Sequence, residues 1–417
     1  MAQIGDIYFG GLQSDIDIQR PMIKSAISFE LNAPAEVNYC FQSDEGNWEV
    51  EIRRDHTAIV ARSTIAYPRE DIIGIGYEQI QRALDIVAFE SNCCIRVSKP
   101  GDTHILLFER EGKIVIQCVA VLIHSTRVSM QITKFDSDGN LIPEPAPPPS
   151  PWREPLRYYR MSQTATDLWE PYRNLFLGFE SLLHLICPKE PSEREEEWLH
   201  RVLKTVGQTV DLQSFVPPGR RDPAKYLVSY HYKGIRCRLF HGKGELPATH
   251  EGTLNPVATA AAYEELIPLW KALASRYLGV KSHAGGVITY GGFRHSMDRY
   301  FSRDLQIFYT EDNSPPNSED MAISPSGLPC YPFEEIKYLG EITPGEVSFS
   351  GSHRVGSGLC SSVVHRICSV VGDHLSSIDH IPDGVCPNGV DLFDCLMIHR
   401  LHNAGQPKTS FIGENLT

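Results

Sequence analysis

The stretch Tyr-His-Tyr-Lys-Gly-Ile-Arg-Cys-Arg-Leu-Phe-His-Gly-Lys-Gly occupies residues 230–244 and places Arg236 five positions before His241. A helix can enter this stretch from Asp222-Pro223, because Asp is a good N-cap and Pro suits the first helical position. We expect the helix to end at Gly242, since glycine fits the left-handed position just beyond a helix end. An offset of five corresponds to about 140° and roughly 7.5 Å along a helix. Both side chains can therefore reach one phosphate only if the helix loosens near His241.

Arginine and histidine have complementary chemistry beside a phosphate. Arg236 stays charged and binds phosphate as a two-pronged donor, whereas His241 can give or take a proton near neutral pH. The partial negative charge of a helix C-terminus favours the protonated imidazole. The pair indicates a phosphate site with a proton donor and no metal, which is nearly all that RNA cleavage by its own 2′-hydroxyl requires. The alternative is a surface helix in which these two side chains only cap the last carbonyls.

Basic residues cluster around this pair, although the chain as a whole is acidic. A formal net charge of −13 over 417 residues is not that of a generic nucleic-acid binder. Between residues 219 and 243, one acid, Asp222, accompanies seven basic residues: Arg220, Arg221, Lys225, Lys233, Arg236, Arg238 and Lys243. Such a patch favours local binding of an anion. The alternative is a solvated helix face balanced by the acidic run 190–197.

The eleven cysteines are scattered along the chain, apart from the neighbours Cys93 and Cys94. No Cys-x2-Cys pair occurs, which argues against a zinc ribbon. The odd count and the lack of an N-terminal signal segment predict a reducing, cytoplasmic location. No apolar run reaches the length needed to span a membrane.

Residues 1–142 predict a mixed, mostly β N-terminal domain. Short runs of apolar and β-branched residues lie at Thr57–Ala61, His104–Phe108 and Lys113–Ile123. Glu111-Gly112 is a candidate hairpin turn between the last two runs. One helix interrupts the pattern at Tyr77–Phe89, where apolar residues recur at helical spacing.

A proline-rich segment and four helical patterns follow. Residues 143–155 include Pro-Glu-Pro-Ala-Pro-Pro-Pro-Ser-Pro, which predicts a stiff, extended linker. Residues 156–281 then predict helices through Tyr172 to Ile186, from a capping box at Ser192 and Glu195 to Gly207, from Asp222 onward, and from Asn255-Pro256 to Gly279. A four-helix bundle is the natural packing of such a segment.

Residues 282–417 predict a β-rich C-terminal region. Strands are expected at Val287–Tyr290, Leu305–Tyr309 and Glu346–Phe349, and a short helix at Ser361–Val371. The histidines invite a metal hypothesis, with His399 and His402 at a spacing that could share a helix face. No acidic or cysteine partner at a standard spacing joins them, so we favour scattered surface histidines and no metal. The histidines in question are His365, His374, His380, His399 and His402.

The motif R-x4-H at the end of the third of four helices resembles the pattern of HEPN domains. Arg-Cys-Arg-Leu-Phe-His-Gly-Lys at 236–243 is similar to the MauJ-like and ApeA-like branches of that family. The first-helix segment Tyr-Arg-Asn-Leu-Phe-Leu-Gly-Phe-Glu-Ser-Leu-Leu at 172–183 is also similar to them. The resemblance covers roughly residues 156–281.

The HEPN resemblance implies a function and a set of roles. Many HEPN proteins are metal-independent endoribonucleases of toxin–antitoxin, CRISPR or phage-defence systems, with an active site shared across a homodimer. By position, Arg236 would hold the scissile phosphate, His241 would perform the acid–base step and Glu180 would support the arginine. Cys237, Arg238 and Lys243 would be supporting residues, with Cys237 standing where the family often has Asn. Other HEPN domains only bind or dimerise.

These patterns together predict an α+β, multidomain chain with a central HEPN-like four-helix bundle, a mixed α/β N-terminal domain and a β-rich C-terminal region. The expected function is a metal-independent endoribonuclease without a cofactor. Its expected partners are RNA, a second copy of the chain in a homodimer or higher oligomer, and a regulatory protein, but no membrane. Arg220, Arg221, Lys225 and Lys233 are candidate RNA-binding residues. The alternative is a catalytically inactive dimerisation or scaffold protein of the MauJ-like kind.

Overall fold

The computed structural model describes residues 1–402, apart from 12–21, 44–45, 92, 94, 99–102, 126–133, 143–150, 166–168, 241–255, 281–289, 318 and 356–362. The chain divides into two compact units. The sheet unit comprises Met1–His124 and Thr289–Leu401, and the helical unit comprises Ser125–Ile288. The sheet unit is therefore assembled from segments that flank the helical unit in the sequence.

Antiparallel strands make up most of the sheet unit. In chain order, the strands of the two units are β1 (Ala2–Ile4), β2 (Ile7–Gly10), β3 (Ser25–Glu30), β4 (Tyr39–Gln42), β5 (Trp48–Ile52), β6 (Ala58–Ser63), β7 (His104–Arg110), β8 (Lys113–Ser125), β9 (Lys134–Phe135), β10 (Leu141–Ile142), β11 (Leu305–Thr310), β12 (Cys330–Pro332), β13 (Glu335–Thr343), β14 (Glu346–Arg354), β15 (Val364–Val371), β16 (His374–Cys386) and β17 (Leu392–His402). β9 and β10 pair only with each other among the described residues and belong to the helical unit.

Both large sheets combine strands from the two ends of the sequence. The six-stranded sheet has the order β12-β11-β15-β16-β1-β2, in which Gln3 of β1 pairs with Cys386 of β16. The nine-stranded sheet has the order β13-β14-β17-β8-β7-β3-β6-β5-β4. The N-terminal and C-terminal segments therefore do not form separate domains.

Apolar side chains fill two layers of the sheet unit. One core lies between the two sheets, where Phe9 and Ile367 of the six-stranded sheet cluster with Leu107 and Phe349 of the nine-stranded sheet. The other core lies between the nine-stranded sheet and helix α1 (Arg69–Ser91), whose buried residues include Ile72, Ile73, Ile80, Ala83, Leu84 and Val87. The result is a three-layer arrangement of sheet, sheet and helix, which buries both faces of the central sheet.

The helical unit has one core of its own, which includes Leu175, Trp198, Leu227 and Leu266. Its elements are α2 (Pro155–Thr164), α3 (Trp169–Ile186), α4 (Glu195–Val206), a 3₁₀ turn (Leu212–Phe215), α5 (Pro223–Leu227), a first π-helix (Val228–Arg236), α6 (Cys237–Phe240), α7 (Pro256–Leu273) and a second π-helix (Ala274–Leu278). Helix α8 (Tyr290–Phe301) belongs to the sheet unit. Among the described residues, no helix has both the length and the apolar content needed to cross a bilayer.

The predicted fold class is wrong. The chain is a mixed α+β protein dominated by two large sheets, rather than a central four-helix bundle with a mixed α/β domain on one side and a β-rich region on the other. The third predicted helix is not one regular helix, because an α-helical turn, a π-helix and a second α-helical turn follow one another in it. The N-terminal and C-terminal segments do not form two separate regions, because strands of one segment pair with strands of the other, hundreds of residues away. Local sequence patterns do not show such pairing.

Two local predictions also differ from the structure. The prediction of a helix at Ser361–Val371 is wrong, because the residues from Val364 to Val371 form strand β15. A short apolar run of this kind fits either a strand or a helix. Helix α4 begins at Glu195, and the predicted capping box of Ser192 and Glu195 is replaced by a hydrogen bond from the backbone N–H of Arg194 to Oε2 of Glu197, at 3.3 Å. The eight residues 143–150 of the predicted proline-rich linker lie outside the described residues.

Other local predictions are confirmed. Glu111 and Gly112 both have positive φ, 53° and 75°, and form the turn between β7 and β8. Asp222 caps α5, with its side chain accepting a hydrogen bond from the backbone N–H of Lys225, and Pro223 occupies the first helical position. Gly279 adopts the left-handed conformation beyond the second π-helix.

Candidate functional site

The segment that carries Arg236 is a π-helix inserted between two short α-helices. Its buried residues are Val228, His231 and Ile235. A π-helix closes i→i+5 hydrogen bonds and is frequent at functional sites. Tyr232, Arg236 and Phe240 lie together in this segment, because the guanidinium of Arg236 contacts both rings.

Arg236 is held by two aromatic rings and one carboxylate. Its guanidinium carbon lies 5.5 Å from the ring centre of Tyr232 and 4.5 Å from that of Phe240. Its Nε lies 3.3 Å from Oε1 of Glu180 on α3, an ion pair in which the arginine side chain is 19% exposed and the glutamate side chain 14%. These contacts fix the charged group where helix α3 faces the π-helix.

A second arginine shares the same aromatic ring. The guanidinium carbon of Arg173, on α3, lies 5.0 Å from the ring centre of Phe240. Arg173 is exposed, whereas Arg236 is mostly covered. The Phe240 ring therefore lies within cation–π distance of two guanidinium groups.

Burial changes the acidity of the carboxylate beside Arg236. Burial raises the pKa of Glu180 to about 6, an effect that the neighbouring Arg236 opposes but does not cancel. A carboxyl group with this pKa exchanges a proton close to neutral pH, unlike an ordinary surface glutamate. Glu180 can therefore carry a charge, or lose it, under conditions in which Arg236 is always charged.

A buried polar network lies behind the π-helix, and the sequence analysis missed it. His231 is 1% exposed. Its Nδ1 lies 3.1 Å from the hydroxyl of Tyr172, and its Nε2 lies 3.0 Å from Oε1 of Glu265. The hydroxyl of Tyr226 donates to the other oxygen of that carboxylate at 3.2 Å. The network joins α3, the π-helix and α7, so it holds the backbone that presents Arg236.

No local spacing in the sequence signals this network. Its members Tyr172 and Glu265 are 59 and 34 positions from His231 in the chain. Burial raises the pKa of Tyr172 well above its ordinary value, which keeps this hydroxyl protonated as a hydrogen-bond donor.

The remaining predicted site residues are dispersed over this face of the helical unit. Cys237 is half-buried beside Tyr232, and burial, with a contribution from Cys237, raises the pKa of that tyrosine to about 12. Lys233 makes an exposed ion pair with Glu196, at 2.7 Å. The guanidinium carbon of Arg220 lies 4.8 Å from the ring centre of Tyr226. Three further predicted residues are exposed: Arg221, Lys225 and Arg238.

The predicted residues His241 and Lys243 lie outside the described residues. The structure therefore brings together Arg236 and Glu180, and it places Cys237 beside them. Lys233 pairs with Glu196 of α4, and Arg220, which precedes α5, lies over the ring of Tyr226 in that helix.

The five C-terminal histidines lie on strands β15, β16 and β17. Among the described residues, no group of three or more His, Cys, Asp or Glu side chains could hold a metal ion. His399 and His402 do not share a helix face, because both lie on strand β17. His399 is also not a surface residue: it is fully buried, and its Nδ1 lies 2.6 Å from Nε2 of His124.

Comparisons with known proteins add no relative. No family model matches the chain, and neither a curated protein nor a solved structure matches it. The resemblance to HEPN domains therefore rests on the residues quoted from the sequence.

Proposed function

We propose that the chain is a metal-independent endoribonuclease of the HEPN type, with Arg236 as its phosphate-binding residue. In the proposed reaction, the 2′-oxygen of a ribose attacks the adjacent phosphorus and the bond from phosphorus to the 5′-oxygen breaks. A base takes the 2′-hydroxyl proton, and an acid gives a proton to the departing 5′-oxygen. The products are a 2′,3′-cyclic phosphate and a 5′-hydroxyl.

The roles follow from the chemistry of the side chains. The Arg236 guanidinium binds the non-bridging oxygens of the phosphate and stabilises the charge that develops on them. His241 exchanges the protons, as the HEPN resemblance implies. Glu180 orients the arginine, and its ability to lose its charge near pH 6 lets Arg236 exchange a carboxylate partner for a phosphate.

The observation that carries this proposal is the setting of Arg236. An arginine whose role is only to cap a helix end usually extends into solvent, where it contacts the last carbonyls. Here the guanidinium is held between two rings and against a buried carboxyl group that titrates near neutrality. Groups with such perturbed acidity concentrate at functional sites.

One observation favours a different function. The charge of Arg236 is matched by Glu180, and that of Lys233 by Glu196, so two cations of the basic patch already have acidic partners within the chain. A chain in which these pairs are purely structural is a catalytically inactive dimerisation or scaffold protein, like the MauJ-like group. This second candidate predicts that RNA is neither bound nor cut at Arg236.

The proposed setting is a phage-defence or toxin-like system in the cytoplasm. Nine described cysteines are free thiols, which fits a reducing compartment. We propose that two copies of the chain act together in a homodimer or a higher oligomer. The sheet unit, with or without a regulatory partner protein, would sense the trigger or restrain the helical unit.

RNA cleavage in EDTA tests the proposal. The purified full chain should cut single-stranded RNA and leave 2′,3′-cyclic phosphate ends, whereas RNA with 2′-O-methyl riboses should stay intact. Arg236→Ala and His241→Ala should each reduce the rate by at least about 100-fold, in the range expected when one acid–base or charge-stabilising group is removed. Arg276→Ala, an exposed arginine of the same unit, is the matched control and should retain the rate.

Three further results decide between the two candidates. Circular dichroism must show that the two inactive variants keep the helical content of the wild type. Arg236→Lys should also lose most activity, because lysine keeps the charge but lacks the two-pronged geometry. Cleavage that survives both Arg236→Ala and His241→Ala would remove the nuclease proposal, and a failure of wild-type protein to cut or bind any RNA would favour the scaffold.

A further inference from the structure

A surface cavity lies on the helical unit beside helix α3. It has a volume of about 430 Å³ and is lined by Trp152, Arg153, Glu154, Ser181, His184 and Leu185. This volume falls within the range of small-molecule sites. Trp152 is 62% exposed, which is unusual for so large an apolar side chain, and the guanidinium carbon of Arg157 lies 5.7 Å from its ring centre.

The cavity is one helical turn away from the Arg236 site. Glu180, which pairs with Arg236, and His184, which lines the cavity, are four positions apart on α3. On an α-helix this offset is about 6 Å along the axis and about 40° around it, so the two side chains share one face. One nucleotide of an extended strand can span such a step.

The side chains around the cavity suit a nucleobase. An aromatic ring that faces solvent offers a stacking surface, and base–aromatic stacking is the usual way in which proteins hold unpaired bases. Arg153 can donate hydrogen bonds to base carbonyl oxygens and ring nitrogens. Glu154 precedes α2 without making a capping hydrogen bond, so its carboxylate can accept from base N–H groups. The surroundings of the cavity also include three basic side chains, Arg153, Arg157 and His184. These side chains suit the phosphates of a nucleic acid better than the scattered charges of an acidic peptide.

The tautomer of His184 fits this use. Its Nδ1 accepts a hydrogen bond from the backbone N–H of Lys189 at 3.4 Å. In the neutral form the proton therefore lies on Nε2, which is the more distant nitrogen and is able to donate to a ligand. The ring also packs edge-on against Trp198, with the ring centres 6.0 Å apart, so its orientation is set from within the unit.

We propose that this cavity binds an unstacked base of single-stranded RNA, with Trp152 as the stacking surface, next to the nucleotide whose phosphate Arg236 holds. The inference rests on the proposed function, because it takes RNA to be the ligand of Arg236. It adds a position-specific contact to a site that would otherwise recognise only the RNA backbone. Stacking alone accepts every base, and the Arg153 and Glu154 side chains add a preference among them.

Binding of an uncleavable RNA tests this subsite without any chemistry. The probe is a fluorescein-labelled 2′-O-methyl RNA hexamer in EDTA, and the readout is the dissociation constant from fluorescence anisotropy. Trp152→Ala should weaken binding by about 5- to 150-fold, the range for loss of one stacked base. Trp152→Phe should retain most of the affinity, because phenylalanine also stacks. Phe135→Ala is the control, since Phe135 is an exposed aromatic residue of the same unit away from the cavity.

A scan with abasic nucleotides locates the base that stacks. One abasic residue is placed at each position of the hexamer in turn, and each RNA is measured with wild-type protein and with Trp152→Ala. At one position, removal of the base should weaken wild-type binding as much as Trp152→Ala does. At that position, Trp152→Ala protein with the abasic RNA should have a dissociation constant no higher than either change gives alone. Purely additive losses at every position would overturn the inference.

The outcomes separate the subsite from the nuclease. If Arg236→Ala weakens binding but Trp152→Ala behaves like Phe135→Ala, the subsite is wrong and the nuclease proposal is untouched. If the Trp152 coupling is found in a chain that cuts no RNA, the subsite stands and the nuclease proposal fails. If the wild type does not bind the hexamer, both are overturned.

Discussion

Replacing Glu180 with glutamine measures how strongly the fold perturbs the carboxyl group beside Arg236. Glu180→Gln keeps the size of the side chain and removes its ionisation. Burial raises the pKa of Glu180 from 4.5 to about 6, so the folded protein holds this proton to a higher pH than the unfolded chain does. Wild-type protein should therefore lose stability relative to the variant as the pH rises through this interval.

The expected size follows from the two pKa values. At about 1.4 kcal/mol per pKa unit, the interval between 4.5 and about 6 corresponds to about 2 kcal/mol. Because the side chain is only 14% exposed, screening by solvent reduces this figure little. The difference in unfolding free energy, wild type minus variant, should fall by about 2 kcal/mol between pH 4 and pH 8.

Urea unfolding at a series of pH values gives this difference. Tryptophan fluorescence suits the measurement, because four of the five tryptophans, at positions 152, 169, 198 and 270, lie in the helical unit. Glu190→Gln, at an exposed position of the same unit, controls for the loss of one negative charge. If the difference instead rises with pH, the attraction of Arg236 outweighs burial and the reasoning about Glu180 is wrong.

Two further substitutions test the packing and the buried histidine pair. Gly178→Val should destabilise the helical unit by about 1–3 kcal/mol in urea unfolding, because a Cβ at Gly178 would already meet the Cβ of Tyr158 at 3.0 Å and Nε1 of Trp270 at 3.2 Å. A change below about 0.5 kcal/mol would contradict close packing of α2 on α3. Burial lowers the pKa of His399 from 6.5 to about 3. Below pH 6.5 the unfolded chain therefore binds a proton that the folded protein does not, and the free energy of unfolding decreases as the pH is lowered. Hydrogen exchange of the β17 amides measures this free energy, which should fall by about 2 kcal/mol for wild-type protein relative to His399→Phe between pH 7 and pH 5. If the difference between the two proteins stays constant over this range, His399 is not held neutral by the fold.

Local signals predicted the local structure. Asp222-Pro223 marked the start of a helix, and Glu111-Gly112 marked a hairpin, because capping and positive φ depend on the residues themselves. The apolar spacing in 77–89 identified the buried side of α1, although the helix extends further in both directions. Such features need no information from distant parts of the chain.

The architecture could not be read in the same way. Strand β1 pairs with β16, and strand β8 pairs with β17. The two strands of each pair are separated by a longer stretch of chain than any local pattern spans. Strand registers of this kind depend on which hydrophobic faces meet after folding. The prediction of three successive parts followed from reading the chain in order, and pairing across the helical unit overturned it.

The candidate site was predictable in part. The sequence singled out Arg236 and Glu180, and the structure places them 3.3 Å apart, while their roles in RNA cleavage stay a prediction. The His231 network was missed because Tyr172 and Glu265 lie 59 and 34 positions from His231 in the chain, and local spacing does not show such contacts. The Trp152 cavity was missed because it joins the end of the proline-rich segment to the C-terminal part of α3, two stretches that are apart in the sequence.

The pairing of β1 with β16 has a consequence for how the chain is made. A ribosome releases the amino end first, so β1 and β8 emerge long before the strands that will cover their edges. Those open edges are templates for association with other chains throughout that wait. Residues 125–288 of the helical unit, in contrast, are synthesised before β16 and β17. We therefore expect newborn copies of this protein to depend on chaperones that shield strand edges, and this need should end only when β17 has left the exit tunnel.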